Sequence, residues 1–421
     1  MKQFVRTFVL LPALILALVA IPTVVFSAAG GADGGVDAFI AGLTESAAPG
    51  GTISPLPSPT PDGTVPTPLP TSTPRPIVYP TATPSVDSDL STLGEKIYVN
   101  GQALIKVIGD RLSPTIYGYT TRGWLYRTDN DGEDWYLVTK SPDVQDFIMN
   151  AADPNVLYSG EGADCESGAR QSVPMYKSID GGETFEKVAN GINLKPLLTA
   201  QYDEDLVFAA DCDMLFVSDD GGDSWSAKPD RSQAALWNQH VVVAMASASL
   251  TGDPEPEFPH WDQLYAAGAD EDGIGVVGFS GDMGDTWVSI VDDTDVEPFH
   301  IRAVTADLRT GGQLWFVDSF GVWSTTDFGL NWSFSARGLG NVIDRGIPGA
   351  KFGLNDIEYQ QDLEMLYLAT VKGLYGKSYD GKTWLKIGGT SEVRNLLLTE
   401  TALDQLWLNT SKGVYLLPLD N

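Results

Sequence analysis

From Thr115 onward the chain repeats one pattern: a short apolar run, a polar loop, a second apolar run, a polar turn, and a run opened by an aromatic residue. The paired runs are Thr115–Thr120 with Gly123–Thr128, Val156–Glu161 with Pro174–Ile179, Leu206–Asp211 with Met214–Asp219, Gln263–Gly268 with Ile274–Phe279, Gln313–Asp318 with Gly321–Thr326, and Met365–Thr370 with Gly373–Ser378. The aromatic-led runs are Asp134–Val138, Thr184–Val188, Ser224–Lys228, Thr286–Ile290, Asn331–Ser335 and Thr383–Ile387. Apolar residues alternating over so few positions, bounded by Gly, Asp and Asn, read as β-strands. A further strand precedes each unit, as in Arg302–Val304 and Arg394–Leu397. Four strands per repeat of roughly 40–50 residues predict the blade of a β-propeller.

A seventh unit is incomplete. Gln405–Leu408 and Gly413–Leu416 supply its second and third strands, and its turn and fourth strand are missing. The run Lys96–Val99, ahead of the first blade, is the candidate for that strand. The expectation is an all-β, seven-bladed propeller of four-stranded antiparallel blades closed by an N-terminal strand. Closure would leave no open sheet edge. Six blades with loose ends is the alternative.

The polar turns are near-copies of one another: Thr128–Trp135, Ser178–Phe185, Ser218–Trp225, Ser280–Trp287, Thr325–Trp332 and the one-residue-shorter Ser378–Trp384. The pattern is Ser/Thr-x-Asp-x-Gly-x-Thr-Trp. The third-position residues Asn130, Asp180, Asp220, Asp282, Asp327 and Asp380 can accept N–H bonds inside the turn. The Gly supplies a conformation that other residues resist. The aromatics Trp135, Phe185, Trp225, Trp287, Trp332 and Trp384 are expected to be mostly buried, one per blade. This pattern resembles the Asp-box (BNR) repeat of sialidase-like propellers, a group that also includes seven-bladed photosystem II assembly factors with a basic patch. The resemblance covers residues 95–421 and is specific for fold, not for activity.

Charge and the N-terminal region narrow the setting. Fifty-six acids against 26 bases give a net charge of −30, which disfavours nucleic acid and anionic membrane surfaces. Residues 1–29 carry Lys2 and Arg6, then an uncharged apolar run ending in Ser27-Ala28-Ala29. That is either a cleaved signal peptide or an uncleaved transmembrane anchor, and both readings put the propeller outside the cytoplasm, secreted or membrane-attached. Residues 30–92 form a linker whose Gly50–Ser85 stretch holds eleven of the 26 prolines amid Thr and Ser, an extended stalk. The folded part is 93–421. Asn331 and Asn409 lie in glycosylation-type triplets. Cys165 and Cys212 fall in matching loops of adjacent blades, so an oxidising compartment would favour a disulfide between them, worth about 3–4 kcal/mol.

In a propeller the repeated turns share one face with the strand one-to-two loops. The opposite face carries the two-to-three loops and the blade connections, and by analogy with propellers generally that face and the central channel are where ligands are expected to bind. The candidate ligand-binding residues there are Glu161, Asp211, Asp270, Asp272, Arg337 and Arg345. Counting back twelve residues from the second strands gives Arg302, Arg394, Lys195 and Gln145, so three bases in four would ring the channel mouth. No catalytic set is evident. The resemblance to sialidases implies an Arg triad and a Tyr nucleophile, but their Phe/Tyr-Arg-Ile-Pro motif is absent, with Arg345–Pro348 only an echo of it. His240, His260 and His300 lack metal-ligand spacing, and no metal or cofactor is expected apart from a weak case for calcium at Asp129–Asp134 or in the acidic loops. Three readings result: a non-catalytic extracytoplasmic module binding a protein or glycan partner, a glycoside hydrolase, or a structural cell-surface component.

Overall fold

The strands assemble as the repeat demands, because each middle strand is apolar on both sides and must be covered on both. The computed structural model describes residues 94–162, 173–201, 203–212, 214–227, 236–237, 241–248, 263–270, 272–292, 294–343 and 353–419. The leader, the linker, Cys165, His240, His260 and Arg345 lie outside these residues. Among the described residues there are strands and no helix, and hence none long and apolar enough to cross a membrane.

Two short strands open the fold, β1 (Glu95–Lys96) and β2 (Tyr98–Val99). Blade one continues from β2 with β3 (Gln102–Gly109), β4 (Ile116–Thr120), β5 (Leu125–Thr128) and β6 (Tyr136–Thr139). Blade two is β7 (Ile148–Met149), β8 (Leu157–Ser159), β9 (Pro174–Ser178) and β10 (Glu186–Ile192). Blade three is β11 (Lys195–Thr199), β12 (Val207–Ala210), β13 (Leu215–Ser218) and β14 (Ser226–Ala227). Blade four is β15 (Val241–Ala248), β16 (Gln263–Ala269), β17 (Gly275–Ser280) and β18 (Val288–Ser289). Blade five is β19 (Ala303–Ala306), β20 (Leu314–Val317), β21 (Val322–Thr325) and β22 (Ser333–Ser335). Blade six is β23 (Leu354–Gln360), β24 (Met365–Thr370), β25 (Gly373–Ser378) and β26 (Leu385–Gly388). Blade seven is β27 (Val393–Glu400), β28 (Asp404–Thr410) and β29 (Gly413–Pro418), completed by β1. Each innermost strand touches the next, and β27 returns to β3, so the seven sheets close into a ring. The six-bladed alternative therefore falls.

The closing strand is shorter than expected. Lys96–Val99 does not act as one strand: Glu95 and Lys96 pair with Leu416 and Tyr415 in blade seven, whereas Tyr98 and Val99 pair with Ala103 and Gln102 in blade one. Ile97 bridges them, donating its N–H to Val414 O at 3.0 Å and accepting from Leu104 N at 3.0 Å. Side chains reinforce this seam. The buried Asn409 amide accepts from Val107 N at 2.8 Å and donates to Val107 O at 3.1 Å. Trp407 meets Trp135 edge-on at 6.3 Å. Asn409 is therefore structural and inaccessible to a glycan, while Asn331 is exposed but donates to Asp327 Oδ2 at 2.7 Å.

Five of the six turns share one bonding scheme. The Ser or Thr hydroxyl donates to the third-position side chain at 2.8 or 2.9 Å. The same oxygen accepts the N–H of the fifth-position glycine at 2.7–3.1 Å. The third-position oxygen accepts the N–H of the seventh residue at 2.7–3.0 Å. Hydrogen bonds from the Ser224 hydroxyl and N–H hold the Asp220 carboxyl down to about 2. Both the fourth and fifth residues are left-handed, with φ of 66° at Gly221 and 91° at Gly222, which is why two copies carry consecutive glycines. The sixth turn lacks one residue and this left-handed pair. Trp384 Nε1, like Trp225 Nε1 of a full-length turn, has no hydrogen-bond partner among the described residues, whereas Trp135 and Trp287 donate to the turn glycine carbonyl at 3.0 and 3.1 Å.

The core lies between blades rather than in one mass. Phe208, Leu215 and Val217 of blade three pack on Leu264, Ala266 and Trp287 of blade four, and Trp315 of blade five on Tyr359 and Trp384 of blade six. Of the six turn aromatics, Trp287 and Trp384 are buried; Trp135, Phe185, Trp225 and Trp332 are half-buried. All six directly precede the outermost strand of their blade, where solvent can reach one side of the ring. In β3, β11, β15, β23 and β27 the register slips by one residue near the start of the strand. Such a bulge bends the innermost strand and shifts which residues face the channel.

Candidate functional site

The predicted bases do sit at one end of the innermost strands. Lys195 opens β11, Arg302 immediately precedes β19, and Arg394 is the second residue of β27; all three are exposed. Arg394 Nε pairs with Glu392 at 3.4 Å. Gln145, the fourth position of that count, is also exposed. The acidic candidates take mixed roles. Asp270 is a turn-former, its Oδ1 accepting the N–H groups of Asp272 at 3.0 Å and Ile274 at 2.8 Å. Asp211 Oδ1 accepts Met214 N at 2.8 Å within its loop. Glu161, Asp272 and Arg337 are exposed. Cys212 is disulfide-bonded. No group of three His, Cys, Asp or Glu side chains among the described residues is placed to hold a metal.

None of these candidates lines either of the two cavities described here. The first cavity, about 580 Å³, opens on the face opposite the repeated turns, between blades four and five. Its walls come from the blade connection (Val291, Asp292, Val296, Pro298, Phe299) and from the tips of two-to-three loops (Ile274, Phe320). Phe320 and Ile274 are about half exposed, at 47% and 56%. Phe299 stacks on Phe320 with centroids 5.8 Å apart and planes at 23°, and meets His300 edge-on at 4.2 Å.

One carboxylate organises that wall. Asp318, almost fully buried, accepts four N–H groups: Phe320 at 2.7 Å, Gly321 at 2.9 Å, Trp323 Nε1 at 3.1 Å and Phe299 at 3.4 Å. Ser319 N donates back to Phe299 O at 3.0 Å. Burial pushes the Asp318 carboxyl up, and the four donors work against that rise. The two aromatic rings are thus presented by a braced loop, not by a floppy one. Asp292 and Glu297 stand on the rim, exposed, and their carboxylates have no hydrogen-bond partner among the described residues. The sequence signal for this site is a large apolar residue at a two-to-three loop tip, Phe320, where the matching loops of blades one, six and seven carry Arg122, Lys372 and Lys412.

The second cavity, about 340 Å³, is the channel itself at the end where the repeated turns lie, and all seven innermost strands contribute to its wall. Sequence reasoning named the channel together with the opposite face, but placed its candidate residues only on that face and at the channel mouth there.

No protein-family model matches the chain, and no curated protein matches it. Solved structures do. The GH74 xyloglucanase from Xanthomonas campestris superposes with a TM-score of 0.52 at 16% identity, covering 75% of this chain and 52% of that one. This chain therefore spans about half that enzyme's length. The structure described as YCF48 bound to D1 peptide gives a TM-score of 0.46 at 16% identity over 80% of this chain and 98% of that one. YCF48 from Cyanidioschyzon merolae gives 0.47 at 15% over 75% and 94%. At 16% identity the likeness to the xyloglucanase speaks for architecture alone, and the closed ring of seven four-stranded blades is that of a β-propeller.

Proposed function

We propose that the chain is an extracytoplasmic, non-catalytic Asp-box propeller that binds a protein or glycan partner through the face opposite the repeated turns. The observation that carries this is the Phe299–Phe320 pocket. Large apolar side chains held half-exposed at the mouth of a cavity that size cost solvation free energy unless something covers them. Flat aromatic faces take either the apolar side of a sugar ring or an apolar peptide side chain. The rim acids and the net charge of −30 call for a neutral or cationic partner. The leader and the Pro-rich stalk would display the ring outside the cell, with a Cys165–Cys212 disulfide suited to that compartment.

The test is binding of the full chain to neutral-glycan and basic-peptide arrays, with Phe320→Ala as comparator. Loss of more than about tenfold in affinity, with unchanged melting, supports the proposal. Binding by Phe320→Ala equal to wild type sinks it.

Glycoside hydrolysis is the second reading, because Asp292 and Glu297 share one pocket. Both retaining and inverting hydrolysis require two carboxyls held at a set separation. No hydrogen bond among the described residues holds either of these, which favours recognition over turnover. Fluorogenic glycosides decide the matter: turnover abolished by Glu297→Gln would establish the hydrolase.

A further inference from the structure

The channel cavity carries a chemistry that its walls do not otherwise need. Its lining joins aliphatic and aromatic residues, Phe147, Met149, Leu198 and Leu397 among them, to a polar set that includes Asp110, Arg111, Gln201 and Thr305. The register slip sets which residues face it. Four positions beyond the first residue of the slip, β3 presents Ile108, β15 presents Ala246 and β27 presents Leu397. In β23 the same position is Glu358. A carboxylate thus stands in a layer where its sister strands place hydrocarbon.

Its surroundings leave it short of partners. Thr305 Oγ1 donates to Glu358 Oε2 at 3.3 Å, a long bond, and Oε1 has no hydrogen-bond partner among the described residues. The nearby base is committed elsewhere: Arg111 Nε lies 2.7 Å from Glu400 Oε2, and its Nη2 donates to Tyr359 O. Asp110, also in the lining, accepts Leu112 N at 2.9 Å. Asp356 accepts Leu396 N at 2.9 Å and Ile357 N at 2.9 Å. The charged groups around Glu358 are therefore three further acids, Asp110, Asp356 and Glu400, against one base, Arg111.

We propose that this cavity binds a small organic cation, a primary amine with an alkyl or aryl body, whose ammonium group is taken by Glu358 while the inner strands cover its hydrocarbon. The volume lies within the range of small-molecule sites, and a cavity whose hydrocarbon walls carry a few convergent polar groups is the ordinary form of such sites. An ammonium group offers three donors and one positive charge, matching an acceptor-only carboxylate and a local excess of acids. Entry is from the turn face, because Asp110 and Arg111 belong to the loop joining β3 to β4. That loop lies against the first turn through Asp131 N donating to Pro114 O at 3.0 Å. Burial, helped by Asp356 and Glu400 and opposed by Arg111, pushes the Glu358 carboxyl up, so the empty site holds a proton that an ammonium ion displaces.

Isothermal titration of the full chain with hexylamine and benzylamine, against 1-hexanol and benzyl alcohol, tests this. The amines are expected to bind at least about tenfold more tightly than the alcohols, with proton release seen as a buffer-dependent heat at pH 7. Their affinity should rise by about tenfold or more between pH 6 and pH 9, while that of the alcohols stays flat. Glu358→Gln should remove the preference, the proton release and the pH dependence. The pH series on the wild type stands by itself if that variant fails to fold. No saturable amine binding at millimolar concentration, equal affinity for amine and alcohol, or an amine preference that survives in Glu358→Gln would each overturn the proposal.

Discussion

Replacing Glu358 by Gln removes an ionisable group and keeps its shape, so its effect on stability isolates the cost of a buried charge. Burial is the main cause that lifts this carboxyl from its ordinary 4.5 to about 8; Asp356 and Glu400 add to the rise, and Arg111 and the Thr305 hydroxyl oppose it. Between those two values the native protein binds a proton that the unfolded chain has lost, so wild-type stability falls as pH rises through the window. Taken whole, the interval corresponds to about 5 kcal/mol. Glu358 faces a cavity that admits water, which screens the charge, so about 2 kcal/mol is the expected effect. The assay is urea denaturation of wild type and Glu358→Gln at pH 4, 5, 6, 7, 8 and 9. Taking the difference cancels the titration of the acids that do not interact with Glu358; the contributions of Asp356 and Glu400, which do, stay inside the measured gap. The two proteins should be equally stable at pH 4. The variant should then gain steadily from about pH 4.5 to about pH 8, and the gap should level off beyond. A gap independent of pH, or a wild type that gains on the variant as pH rises, would refute the reasoning.

Asn409→Ala should cost about 2–5 kcal/mol in the same assay, because it orphans the buried N–H and C=O of Val107 together. Gly222→Ala should cost about 1–2 kcal/mol, since φ is 91° and the new Cβ would lie 3.1 Å from Tyr158. Asp318→Ala should lower both the melting temperature and affinity for whatever the Phe299–Phe320 pocket binds, whereas Phe320→Ala should lower affinity alone. Equal melting of Asp318→Ala and wild type would show that the loop does not depend on its carboxylate.

The blades were legible because each repeat carries its own boundary: Ser218, Asp220 and Gly222 state a turn whose bonds all form within eight residues. Closure was legible from a missing fourth strand. What the sequence concealed depends on parity and on contacts across blades. The split of Lys96–Val99 arises because the chain crosses from blade seven to blade one at Ile97, and no local pattern marks the crossing. Glu358 could not be assigned to the channel by alternation, since the slip between Leu354 and Asp356 reverses which residues face inward. Phe299 and Phe320 belong to a connection and a loop tip, outside the repeat that organised the reading. Cys212 is disulfide-bonded, and Cys165, with which the sequence pairs it, lies beyond the described residues.

The seam between Glu95 and Leu416 also sets a timetable. β1 leaves the ribosome first among the described strands and its partner β29 leaves last. At about 5–20 residues per second, on the order of half a minute separates them. Over that interval the nascent ring is a horseshoe: β1 has no partner, and Val107 waits for an amide 302 residues downstream. Contacts of such sequence separation make folding slow and leave an edge open to strangers. A second chain can offer β29 the same two-residue strand, so concentrated refolding should yield strand-exchanged dimers that dilute refolding does not, a difference that gel filtration would reveal.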